Sequence, residues 1–168
     1  MTKLRGKRGM AMMMVIVAMV ILSSFGVLIT TCAVKMHSDV ARYVKNTENC
    51  DAMGEYFLSK ANSLTGFSNE TSVVANLKSA LSNNSADNPF AEYEVNPTAS
   101  AEGEVPAKRA LISAKCDGSS TAVMLNVYAA DSVKLQVVAR KSGTEKFTIL
   151  VWSYDEVVTD IETVMLPS

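Results

Sequence analysis

The sequence predicts an α+β protein, with a long N-terminal helix, apolar and then amphipathic, packed on a small antiparallel β-meander head. Three observations predict it. An uncharged apolar run fills Met10 to Val34, apolar and small residues continue from it at helical spacing to Leu64, and short alternating segments separated by turn residues fill the chain from Ala110 onward.

The first run holds 25 residues without a charge. At 1.5 Å per residue a helix of that length spans roughly 37 Å, more than a hydrocarbon core of about 30 Å, so it is predicted to cross a bilayer. Lys3, Arg5, Lys7 and Arg8 precede it, whereas Lys35, His37, Asp39, Arg42 and Lys45 after it are mixed in sign. That asymmetry predicts a single-pass protein of the cytoplasmic membrane with a cytoplasmic N-terminus and an extracytoplasmic head. The run is longer than the apolar core of a cleaved secretory signal, and no A-x-A pattern follows it.

Beyond Val34 the chain has no proline before Pro89 and its next glycines are Gly54 and Gly66, so the helix is predicted to continue. Met36, Val40, Tyr43, Thr47, Cys50, Gly54, Phe57, Ala61 and Leu64 recur at a 4-3-4-3 spacing on one stripe, with Asp39, Arg42, Lys45, Asn46, Glu48 and Asn49 opposite. The chain thus divides into a basic leader at 1–9, a membrane helix at 10–34, an amphipathic continuation at 35–65 and a head at 66–168. Thr65-Gly66 ends the long helix, and Ser72 to Leu81 reads as a short second one. Asn83 to Pro89 is a turn-rich loop.

Alternation at Ala91, Tyr93 and Val95 predicts a strand, followed by a polar connection over Asn96 to Pro106. Four further strands are predicted at Ala110–Cys116, Thr121–Ala129, Val133–Arg140 and Phe147–Tyr154, with hairpin-sized separators. Val133, Leu135, Val137 and Ala139 share one face, against Lys134, Gln136, Val138 and Arg140, as a sheet with one buried face requires. Trp152 and Tyr154 share a strand face and are expected to pack on the helix. Val157 to Met165 reads as either a last strand or a docked tail.

Without its four leading basic residues the chain carries 12 basic against 17 acidic residues, which does not suggest a nucleic-acid surface. Three cysteines, Cys32, Cys50 and Cys116, are too few for a disulfide scaffold; Cys50 with Cys116 is the candidate pair, because Cys32 lies inside the apolar run. No phosphate loop, nucleophile elbow, H-E-x-x-H or CxxC pattern is present, and no cofactor or metal is implied. His37 reads as a solvated interfacial residue, and Asp155, Glu156, Asp160 and Glu162 lack the spaced loop of a calcium site. Nothing here argues for an enzyme.

A basic leader ending in glycine, an uncharged helix beginning at once, an amphipathic continuation and a small β-meander together resemble type IV pilins and pseudopilins. Lys3-Leu4-Arg5-Gly6-Lys7-Arg8-Gly9, followed by Met10, looks like the site of the prepilin peptidase. The resemblance implies a cut between Gly9 and Met10, methylation of the new Met10 amine, and packing of the N-terminal helix against other pilin or pseudopilin subunits of a motility, secretion or competence filament.

Most of that family has glutamate at the fifth mature position, where this chain has Met14. That absence resembles the minor members: the tip pseudopilin of type II secretion, the PilX-like minor pilins, and a Gram-positive competence pseudopilin. Thr47 to Asn62, with Glu55 and Leu58, faintly resembles the post-membrane helix of the PilX-like group. Two other readings stand beside this one. Ile29-Thr30-Thr31-Cys32 ends a hydrophobic run in cysteine as a lipoprotein does, and a signal-anchored envelope protein with a ligand-binding head needs no cleavage.

Overall fold

The computed structural model describes residues 3–65, 69–83, 85–97, 108–129, 132–154 and 158–162. They form α1 (Lys3–Ser63), α2 (Glu70–Leu81), β1 (Glu94–Val95), β2 (Lys108–Asp117), β3 (Ser120–Ala129), β4 (Ser132–Ser142) and β5 (Thr148–Ser153). The chain falls into two compact units, Met1–Lys45 and Asn46–Ser168.

In the first unit α1 is helical from Lys3, through the leader and the apolar run. The hydroxyls of the apolar run are satisfied within the helix itself. Ser23 and Ser24 donate to the carbonyls of Met19 and Val20, each at 2.8 Å, and Thr30 and Thr31 donate to Gly26 and Leu28. From Gly9 this helix is long and apolar enough to cross a membrane, with a most apolar window of mean hydropathy 2.7.

The second unit is built on a five-stranded sheet in the order β1-β2-β3-β4-β5. The last four strands form the predicted antiparallel meander, with Ile112, Leu125, Val137 and Trp152 in one row across it. The first strand corrects the expectation of an all-antiparallel sheet, because Glu94 and Val95 pair parallel to Arg109 and Ala110. No hairpin joins these two strands; roughly a dozen residues separate them, enough for the crossover a parallel pair demands.

One sheet face buries Ala110, Ile112, Val123, Leu125, Val127, Leu135, Val137 and Ala139 against Cys50, Met53, Phe57 and Ala61 of α1 and Val73, Leu77 and Leu81 of α2. Helix α1 ends where Leu64 N–H turns back to the Ala61 carbonyl, and the Asn62 amide oxygen accepts from Phe147 N–H at 2.8 Å. Helix α2 begins earlier than its apolar periodicity suggests, because Asn69 caps it by accepting from Ser72 N–H at 2.8 Å.

The expectation of a single buried face is corrected as well. Gln136 and Val138, on the opposite face, are fully buried. Residues 158–162 lie across that face, where Ile161 packs with Ala122, Met124, Val138 and Val151. Gln136 makes the burial affordable: its Nε2 donates to the Val158 carbonyl at 2.8 Å and to Asn126 Oδ1 at 2.9 Å, and its Oε1 accepts from Val158 N–H at 3.0 Å. The described part of Val157–Met165 is therefore a docked segment rather than a sixth strand; Val157 and 163–165 lie outside the described residues.

Candidate functional site

Gly9 and Met10 lie inside α1, both exposed. A Cβ added at Gly9 would have nothing within 4 Å, so no packing against the described chain calls for glycine there. A helix-interior glycine costs about 1 kcal/mol relative to alanine, which leaves the residue without a local structural reason. Met14, at the fifth position after Gly9, is 70% exposed, and Met10, Met12, Met13, Val15 and Ile16 around it are exposed too. Cys32 and His37 are also exposed on α1.

In the second unit a different constellation joins α1 to β5. Asp51 Oδ1 accepts from Trp152 Nε1 at 3.0 Å and from the Tyr154 hydroxyl. The far edge of the Trp152 ring lies against Gly54, where any Cβ would collide with it. This bears out the expectation that Trp152 and Tyr154 pack on the helix, and adds the carboxylate that orients them. Burial, followed by the adjacent Asp51 carboxylate, pushes Tyr154 up to about 12. Asp51 escaped the sequence reading because it flanks the apolar stripe and has the character of an ordinary solvated acid. Its one signal was position, next to Cys50 and one turn before Gly54 and Glu55.

Cys50 and Cys116 are both free thiols that pack into the same core. Burial pushes the Cys50 thiol up. Their neighbours place them at opposite ends of the sheet: Asp51 meets Trp152 and Tyr154, whereas Cys116 is paired with Thr121, whose β4 partner is Lys141, beside Phe147 and Asn62. Asp51 to Asn62 is about 16 Å of helix, well beyond the separation a disulfide tolerates. The pairing considered from the sequence is not made in this structure.

Of the acidic residues weighed for calcium, Asp155 and Glu156 lie outside the described residues. Asp160 Oδ1 accepts from Glu162 N–H, and Glu162 pairs with Lys115 at 3.0 Å. Among the described residues no cluster of three metal-ligating side chains exists.

The described part of the head carries a shallow groove of about 560 Å³ between α2 and β2, lined by Glu70, Thr71, Val74, Ala75, Lys78, Asn96, Ser113 and Ala114. No family model, curated protein or solved structure matches the chain.

Proposed function

We propose that this chain is a minor type IV pilin or pseudopilin subunit, cut between Gly9 and Met10 by a prepilin peptidase and assembled through its N-terminal helix into or at the tip of a filament. One observation carries the reading: four basic residues end at Gly9, and the next residue opens an uncharged run of 25. The peptidase would meet its bond at the cytoplasmic membrane surface, with the leader held there by charge and the run held in lipid. Gly9 is exposed and packs against nothing in the described chain, which leaves it accessible to an enzyme that selects for glycine.

On this reading the work is assembly rather than catalysis. The helix stores the subunit in the bilayer, single-pass with its head outside the cytoplasm. Each large aliphatic side chain that leaves lipid must find a protein neighbour, since exposing one to water costs about 1.5–3 kcal/mol. Methionines at 10, 12, 13 and 14 suit that exchange, being adaptable in shape. Met14 in place of glutamate leaves the chain without the carboxylate that family members direct at a neighbouring subunit's amine, which favours a minor or terminal position.

The test is the mass of the N-terminus in cells that express the peptidase. A chain beginning at Met10, and an uncut Gly9→Val variant missing from sheared surface filaments, is the expected result. An unmodified Met1 start in those cells overturns the proposal in favour of a simple anchor, and a lipidated Cys32 start in favour of a lipoprotein.

A further inference from the structure

The groove between α2 and β2 exists because β1 stops early. Val95 is its last paired residue, while β2 runs on to Asp117. Asn96 then turns out of the sheet with a positive φ of 48° and is followed by Pro97. Before it leaves, Asn96 closes the next rung with its side chain: Oδ1 accepts from Ile112 N–H at 2.7 Å and Nδ2 donates to the Ile112 carbonyl at 3.3 Å.

Since Ile112 N–H faces this edge, alternation along the strand makes Ala114 and Cys116 the next residues whose N–H and C=O face it. Among the described residues those groups have no hydrogen-bond partner. An open ladder of this kind is a template for another strand.

The opposite wall of the groove is one side of α2, on which Glu70, Val74 and Lys78 follow each other at intervals of four. Four helical residues rise about 6 Å, close to the roughly 6.7 Å between side chains on one face of a strand. Lys78 donates to the Asn96 carbonyl at 3.1 Å, marking that end as positive. Glu70 marks the other end, 3.5 Å from Lys115, which makes its closer pair with Glu162.

We infer that this groove captures an extended peptide segment of a partner protein by strand addition to β2, the segment reading basic, any, apolar, any, acidic. Its basic side chain lies at Glu70 and its apolar one opposite Ala114, against Val74 and Ala75; its acidic one, past the last free rung because Asn96 holds Ile112, reaches Lys78 without pairing to β2. That order sets the peptide antiparallel to β2. The groove belongs wholly to the head, so the inference does not depend on whether Gly9 is cut.

The experiment is a fluorescence-anisotropy titration of the full chain in detergent with a labelled, end-blocked Lys-Thr-Val-Thr-Glu peptide and its charge-reversed counterpart Glu-Thr-Val-Thr-Lys. Saturable binding of the first, with the second about tenfold weaker, is expected. Ala114→Pro removes an N–H that the β2–β3 ladder does not use, at a position where β2 is locally an edge, and is expected to weaken binding about five-fold. Ala75→Trp fills the groove from an exposed position and abolishes binding, whereas Asn76→Trp, one residue away and outside the lining, leaves it intact. Equal binding of both peptides, no saturation, or indifference to Ala75→Trp overturns the inference. So does self-association of the wild type that Ala75→Trp removes, because the groove is then filled by a second copy.

Discussion

Two stretches of the stripe on α1 have the same spacing and opposite fates. Met36, Val40 and Tyr43 are 70%, 59% and 68% exposed, whereas Cys50, Phe57 and Ala61 are 5% exposed or less. Residues of the first stretch belong to one compact unit and those of the second to the other. Helical periodicity assigns residues to a face; it does not say whether anything covers that face. The second stretch is covered by the sheet of its own unit, whereas Met36 and Val40 of the first stay exposed among the described residues.

The sharpest way to break this comparison is to truncate one side chain from each stretch and follow urea unfolding of the full chain in detergent by the fluorescence of its single tryptophan, Trp152. Phe57→Ala is expected to lose about 3–5 kcal/mol, as fully buried aromatics do, while Val40→Ala stays within about 0.5 kcal/mol. Comparable losses would mean that the upper stretch is covered after all.

Glycines sharpen it next. Gly54→Ala forces a Cβ into the Trp152 ring and is expected to cost about 1–3 kcal/mol through overpacking, even though alanine is the better helix former. Gly26→Ala, with open space around it, is expected to be neutral or slightly stabilising in the same assay.

Asp51→Asn probes the polar margin of the covered stretch, and a cost of about 1.5–3 kcal/mol is expected from weakening hydrogen bonds to a charged acceptor. Its pH signature is more diagnostic. Tyr154 is held up to about 12, against an unfolded value near 10, so between those values the unfolded chain has shed a proton that the folded chain keeps. Stability from this group is therefore present below about pH 10 and is lost as pH rises through about 12. Burial raises Tyr93 as well, so absorbance titration of tyrosinate is expected to show late tyrosines, of which only Tyr154 titrates earlier in Asp51→Asn.

The smallest effects are expected at exposed ion-paired cations, and one is taken from each unit. Arg42→Ala breaks a pair with Asp39 at 3.4 Å, and Lys115→Ala breaks pairs with Glu162 and Glu70; neither is expected to move the unfolding midpoint measurably.

Most elements of the fold were legible in the residues because each carries a local signal. The long helix lacks breakers, and the last four strands alternate between turn residues, so their predicted positions agree with the structure to within two residues or so. What was missed involves partners distant in sequence. The parallel setting of β1 depends on which edge it reaches, and periodicity is blind to direction. Gln136 alternates like a solvent-facing residue, yet it is buried because residues 158–162 cover it. Candidate sites divide in the same way: Gly9 and Met10 are a matter of adjacent residues, while the Asp51 constellation joins groups a hundred positions apart and the groove needs Asn96 to stop a strand beside α2.

By itself the sequence determined that the chain is an α+β protein with one uncharged helix long enough to cross a bilayer, because helix length, charge placement and alternation are properties of neighbouring residues. Only the tertiary structure decided which half of the amphipathic stripe is buried, which rungs of β2 go unpaired among the described residues, and that Cys50 and Cys116 lie apart. Those outcomes turn on register and on what packs against what, which no single stretch of chain encodes.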